Sequence, residues 1–171
     1  MPTIFLNAGH HFKDSGATHG DLKENVLGRQ KYGMVVRDIL KEKLAGRDVV
    51  YIADELTLRE TIDFINARAK LGDMAIDIHF NNNPNENVRG TEAYYYQSPR
   101  LAEIFARRVS EALGIPNRGP LSDTMSGAGQ LGFLRQIKCD SVLVECLYLS
   151  NWADRAVLAV SGGRNKIADG I

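Results

Sequence analysis

Two of the four histidines stand where an apolar run hands over to a polar segment. His10 follows Thr3 to Ala8 through Gly9, which lets the chain turn, and His79 falls at the end of Met74 to Phe80. In open α/β sheets, sites gather at the carboxyl ends of strands. Two imidazoles from two strand ends can converge on one point, and neutral imidazole is a favoured zinc ligand. The competing account is a pair of ordinary polar residues at strand tips. Two carboxylates belong to the same geometry. Glu24, just before the first helix, can swing beside His10 on a short loop; otherwise it is an exposed acid suited to a helix start. Glu145 interrupts Val142-Leu143-Val144-Glu145-Cys146-Leu147, a run that otherwise reads as a fully buried strand. A buried carboxylate costs several kcal/mol unless it finds a cation, a partner or a proton. Glu145 is therefore either half of a buried salt bridge to an arginine or a catalytic carboxylate facing a metal-bound water.

These residues need a frame that carries strand ends to one place. Strands are predicted at Thr3 to Ala8, Asp48 to Ala53, Met74 to Phe80, Thr91 to Gln97 and Ser141 to Leu149. Helical spacing of apolar residues marks Arg29 to Ala45, stopped by Gly46, and Leu58 to Leu71, closed by Gly72. A third helix follows Pro99 and ends before Gly114, and a fourth begins near Asp154 with Gly162-Gly163 interrupting it. This alternation predicts an α/β fold: a single domain with a mostly parallel twisted sheet and helices on both faces. Ser141 to Val144, continuously apolar after the serine, suits a central strand. Asn81 to Gly90 and Arg118 to Gly132 read as loops.

Length and composition agree. The 171 residues make about one domain at roughly 150 residues per domain, and 44% hydrophobic with 25% charged residues excludes a disordered or collagen-like chain. The 21 basic and 21 acidic side chains cancel, which argues against bulk attraction to nucleic acid or anionic lipid. No apolar run approaches the roughly 18 to 20 residues that cross a bilayer, so no membrane insertion is expected. The opening Met1-Pro2-Thr3-Ile4 reads as the approach to a first strand and not as a secretory signal. Cys139 and Cys146 are seven residue steps apart, about 23 Å in an extended chain and too far for a disulfide. Gly127-Ala128-Gly129-Gln130-Leu131-Gly132 matches the dinucleotide fingerprint G-x-G-x-x-G, but polar loop precedes it and no helix of adequate length follows. A glycine loop near the site is the better account.

Taken in order, the motifs resemble the catalytic domain of zinc-dependent N-acetylmuramoyl-L-alanine amidases, the Amidase_3 family of cell-wall hydrolases that includes many phage endolysins. Asn7-Ala8-Gly9-His10 with Asp14-Ser15-Gly16-Ala17 resembles the family's G-H-G-G-x-D-x-G-A, and Leu22-Lys23-Glu24 its L-x-E. Ile78-His79-Phe80-Asn81 resembles S-I-H-A-N, and Arg89-Gly90-Thr91-Glu92-Ala93-Tyr94-Tyr95 resembles G-x-E-x-Y-Y. Val142-Leu143-Val144-Glu145 with Leu149-Ser150-Asn151 resembles L-V-E-x-x-F-L-S-N, and Ile167 to Ile171 resembles the family's domain end. Three departures stand out: His11 for a glycine, Asp77 for the usual serine, and Cys146-Leu147-Tyr148 before Leu149. His11 and His19 match no family role and read as exposed loop residues.

The resemblance implies zinc held by His10, Glu24 and His79, with Glu145 as general acid/base, across a catalytic domain spanning residues 1–171. Two imidazoles and one carboxylate leave the metal about one unit of positive charge and an open position, where water becomes acidic enough to ionise near neutral pH. The implied reaction is cleavage of the amide between the muramoyl lactyl group and L-alanine in peptidoglycan. Asn81, whose side chain both donates and accepts, is a candidate substrate contact. A zinc peptidase or deacetylase acting on another wall bond would use the same ligands, and a catalytically silent wall-binding module would keep only the fold. No separate wall-binding domain is visible, and a monomer is expected. A phage-type protein made in the cytoplasm and then released fits the opening residues, as does a protein exported by a leader outside this chain.

Overall fold

In the computed structural model, residues 1–10, 14–23, 32–160 and 162–171 are described. Six strands form one sheet: β1 (Ile4–Ala8), β4 (Val49–Tyr51), β5 (Met74–Asn81), β6 (Thr91–Tyr95), β7 (Asn117–Ser122) and β8 (Asp140–Tyr148). Their spatial order is β4-β1-β5-β8-β6-β7, and every pairing is parallel except β6 with β8. A two-stranded hairpin, β2 (Thr18–His19) and β3 (Leu22–Lys23), stands apart. The α/β class, the mostly parallel sheet and the central place of the Ser141 strand are as the sequence predicts.

Period-two alternation divides the sheet into two faces. On one, Leu6, Ile76, Ile78, Val142 and Val144 pack against Val36 and Leu40 of α1 (Tyr32–Lys43), Phe105 and Val109 of α3 (Pro99–Leu113), and Ile167 of α6 (Gly163–Gly170). On the other, Phe5, Ala75, Tyr94 and Leu143 pack against Ile62 and Ile65 of α2 (Leu58–Asn66) and Phe133 and Leu134 of α4 (Gly132–Gln136). That second face changes character along the strands. On β5 it runs Ala75, Asp77, His79, and on β8 it runs Ser141, Leu143, Glu145. Helices cover its apolar end, and its polar end is left as a cleft at the carboxyl ends of β1, β5 and β8.

Local chemistry explains where the covering helices stop and start. Thr57 and Glu60 form a reciprocal capping box at the start of α2, with the Thr57 N–H donating to Glu60 Oε2 at 2.9 Å. Pro99 begins α3 and Gly114, at φ 68°, ends it in the left-handed conformation that glycine adopts without penalty. The fourth predicted helix is split into α5 (Trp152–Ala159) and α6 near Gly162, as its glycines suggest. Helix α2 ends at Asn66, short of the predicted Leu71. The predicted start of α1 at Arg29 lies outside the described residues.

One segment corrects the sequence reading. Arg118 to Gly132 is not one loop, because Asn117–Ser122 forms β7 at the sheet edge. Gly119 and Pro120 hide its alternation, and an edge strand tolerates proline because one side of its backbone needs no partner. Cys139 and Cys146 are free thiols, the latter buried, as expected.

Candidate active site

His10 and His79 meet edge to face, ring centroids 4.8 Å apart. Position 79 ends the polar row of β5, and position 10 lies two residues past β1, the strand beside it. The turn is made differently from the sequence expectation. His10 itself takes the left-handed backbone, at φ 64°, the one non-glycine among the described residues to do so. Such a conformation is costly for a side-chain-bearing residue and persists where surrounding contacts impose it. Gly9 serves a steric purpose instead: a Cβ there would lie 2.2 Å from both Cε1 and Nε2 of His79. The imidazole fills the space that a side chain would take.

Each ring has a carboxylate on one nitrogen. Asp14 Oδ2 lies 2.7 Å from His10 Nδ1, and its other oxygen accepts from the Gly16 N–H at 3.1 Å. Asp77 Oδ2 lies 3.0 Å from His79 Nε2, while its Oδ1 accepts from Asn7 Nδ2 at 2.7 Å. Asp77 is buried, 3% exposed, and Asn7 supplies the hydrogen-bond donor for its Oδ1. A carboxylate on one ring nitrogen orients the imidazole and leaves the other nitrogen as a basic lone pair, the usual support for a metal-bound histidine. The pair, the carboxylate near each ring and the cradle at Gly9 therefore fit a divalent metal. Among the described residues no three His, Cys, Asp or Glu side chains group as a metal site. Glu24, the third ligand implied by the sequence, lies outside the described residues, as does His11.

Glu145 is opposite His79 in the parallel β5–β8 ladder and opposite Glu92 in the antiparallel β8–β6 ladder. Paired positions share a face, so His79, Glu145 and Glu92 form one polar row across three strands. Within that row it is Glu92 that takes an arginine: Arg118 Nε donates to Glu92 Oε2 at 2.7 Å. Glu92, 1% exposed, also accepts from Asn81 Nδ2 at 2.9 Å and the Tyr94 hydroxyl at 2.7 Å. Burial, then the Glu92 hydrogen bond and the nearby Glu145 charge, push the Tyr94 phenol well above its ordinary value, so it stays a donor. Tyr148 is raised as well, first by burial and then by the charge of Glu92.

The cleft has two arms that share His10, His79, Leu131 and Leu143. Both arms are of mixed lining: toward α2 Leu56, Leu58 and Phe133 stand beside Asn7, Asp14 and Asp77, and toward β6 Asn81, Asn82 and Glu145 stand beside Phe80 and Ala128. The two arms hold about 190 and 320 Å³, around the lower end of the range typical of ligand sites. Asn81 lines the arm toward β6, but its amide group is engaged on both sides, donating to Glu92 and accepting from the Asn82 N–H at 2.7 Å.

The glycine-rich motif lies at this cleft, where Ser126, Gly127 and Ala128 form part of the wall. A single turn of 3-10 helix, Asp123–Met125, precedes it, and only the five-residue α4 follows, so the strand-turn-long-helix of a dinucleotide site is not built. Buried Asp123 anchors the loop, accepting from the Leu131 N–H and from Arg135 Nη2, each at 3.1 Å. Arg135 holds the Asp123 carboxyl below its usual range. Sequence reasoning missed Asp14, Asp77, Asn7 and Glu92. For Asp77 and Glu92 a signal was present: each is an acid inside a predicted strand, as Glu145 is, with Asp77 two positions from His79 and so on its face.

The model of the Amidase_3 family, described as N-acetylmuramoyl-L-alanine amidase, matches residues 4–171. The chain is 28% identical over 180 residues to N-acetylmuramoyl-L-alanine amidase LytC of Bacillus subtilis (strain 168), with 99% of this chain and 34% of LytC aligned. It is also 28% identical over 184 residues to the endolysin of Bacillus phage SPP1, covering 98% of this chain and 62% of the endolysin. It thus spans less than two thirds of either relative. Among solved structures, amidase AmiC2 of Nostoc punctiforme superposes with a TM-score of 0.82 at 26% identity, over 99% of this chain and 92% of that one.

Proposed function

The chain belongs to the Amidase_3 family of N-acetylmuramoyl-L-alanine amidases, and on that premise we propose that it hydrolyses the amide between the muramoyl lactyl group and L-alanine in peptidoglycan. The carrying observation is the convergence of His10 and His79 at 4.8 Å with Glu145 in register beside His79, all in one cleft. In this reading His10, His79 and Glu24 hold zinc, and residues 1–171 work as the catalytic domain. Zinc so held would acidify a coordinated water and polarise the scissile carbonyl.

The chain's own residues do the rest. Asp14 and Asp77 keep the two imidazoles oriented. Glu145 takes one proton from the attacking water and returns it to the alanine nitrogen as the C–N bond breaks. The lactyl group leaves as a carboxylate and the stem peptide as a free amine. Apolar walls at Leu131 and Leu143 lower the local dielectric, which strengthens these charge interactions. No helix among the described residues is long and apolar enough to cross a membrane.

Mass spectrometry of digested sacculi tests this directly. Fragments should carry new N-terminal alanine on released stem peptides and intact lactyl carboxylates on the glycan. Chelation should stop release and added zinc should restore it. New amino groups on sugars, or cleavage within the stem peptide, would instead identify a deacetylase or peptidase, and no release with zinc present would leave a wall-binding module.

A further inference from the structure

Strand β7 joins the sheet through an irregular step. Thr91 pairs with Asn117 and Glu92 with Gly119, so Arg118 is the extra residue between them. Gly119, at φ 82°, takes the left-handed backbone, and its N–H donates to Asn117 Oδ1 at 2.8 Å. Irregular steps of this kind re-aim a side chain and recur beside active sites. Here the step turns the guanidinium onto the polar row. Its Nε donates to Glu92 Oε2 at 2.7 Å, and the group lies 5.5 Å from the Tyr148 ring centre. The buried Glu92 carboxylate also holds Asn81 and Tyr94 of the cleft wall. The Arg118 side chain itself stays 40% exposed.

We propose that Arg118 is a specificity-determining residue, which binds a carboxylate on the stem-peptide residue that follows the cleaved alanine. This deepens the amidase reading of the preceding subsection and rests on it.

The direction of the peptide follows from where the proton must go. Glu145 returns a proton to the alanine nitrogen, so the departing peptide begins on the Glu145 side of His79. Continuing along the row, the next position is Glu92 and the one beyond it is the β7 edge that carries Arg118. Neighbouring strands are about 4.8 Å apart, so Glu145 and that edge are separated by about 10 Å. Two extended residues cover about 7 Å, and a guanidinium–carboxylate contact adds about 2.8 Å. A carboxylate on the second residue therefore reaches the cation.

Charge supplies the second argument. Glu145 and Glu92 place two carboxylates in the row, and these repel an acidic peptide unless a cation stands beside them. A guanidinium has five N–H donors in a fixed fork, of which Glu92 takes the one on Nε. The terminal nitrogens suit a further carboxylate. Because buried Glu92 already fixes the arginine, little side-chain freedom is lost when substrate arrives.

The experiment compares two soluble disaccharide stem-peptide substrates that differ only at the second residue, free carboxylate against primary amide, with the full chain in zinc-containing buffer. Wild type should favour the acid in kcat/KM by about tenfold, the worth of one charged hydrogen bond, and chiefly through KM. Arg118→Gln should abolish that preference. It also strips Glu92 of its cation, so Arg118→Gln combined with Glu92→Gln serves as the charge-balanced variant and should likewise show no preference. Glu92→Gln alone keeps the cation and should keep the preference. Arginine variants that lose activity equally on both substrates, leaving the ratio intact, overturn the proposal. So does a wild type indifferent to the two. Cleavage of neither substrate by wild type overturns the amidase reading itself.

Discussion

His79 and Glu145 occupy paired positions in the β5–β8 ladder, side chains on one face of adjacent strands. Neighbouring strands are about 4.8 Å apart, so the candidate ligand and the candidate acid/base are held at fixed separation by backbone hydrogen bonds and not by a loop. A proton acceptor built this way needs little reorganisation during reaction.

Glu145→Gln should therefore separate binding from turnover. Zinc stoichiometry should remain that of wild type, while kcat falls by about 10²- to 10⁴-fold, the usual contribution of a general acid/base. Full activity in the glutamine variant would sink the assignment.

Gly9→Ala tests the cradle. The added Cβ meets ring atoms at the end of a side chain, not backbone, so His79 moves and the fold survives. Zinc affinity should drop about tenfold or more, with the denaturant midpoint changed little. Equal affinity in the alanine variant would show that the ring does not depend on that space.

Glu92→Gln should act on stability. One buried carboxylate serves Asn81, Tyr94 and Arg118, and an amide has a single acceptor for three donors. At least one donor loses its partner, at a cost of about 1–3 kcal/mol, readable by urea unfolding. A variant as stable as wild type would mean that water or a rearranged Arg118 replaces the contact.

Asp123 supplies a pH signature. Its carboxyl is lowered first by the Arg135 hydrogen bond, so its folded value lies below its unfolded one. The stabilisation is complete above the unfolded carboxylate value near about 3.9 and is lost as pH falls through the folded value. The stability advantage of wild type over Asp123→Asn should hold at neutral pH and shrink progressively below about pH 4 to 5. An advantage independent of pH across that range would remove the ion pair as its cause.

Much of the frame was legible in the chain itself. The runs ending at Ala8 and Phe80 predicted two strand tips with a histidine just beyond or just inside each, and the acid at 145 stood out because a continuous apolar run cannot hide it without reason. Those are local properties: alternation, turn residues and the cost of burying charge operate over a few neighbours. The short edge strand Asn117–Ser122 escaped because Gly119 and Pro120 erase the alternation on which such reading depends.

What only the tertiary structure decided is which atoms meet. Asp14 and Asp77 reach opposite nitrogens of two rings, Asp123 and Arg135 tie down the glycine loop, and Glu92 takes Arg118. Partners such as Asn7 and Asp77 are 70 positions apart along the chain. No rule of local spacing links them, because their meeting depends on strand order and register, which are set by the packing of both sheet faces together.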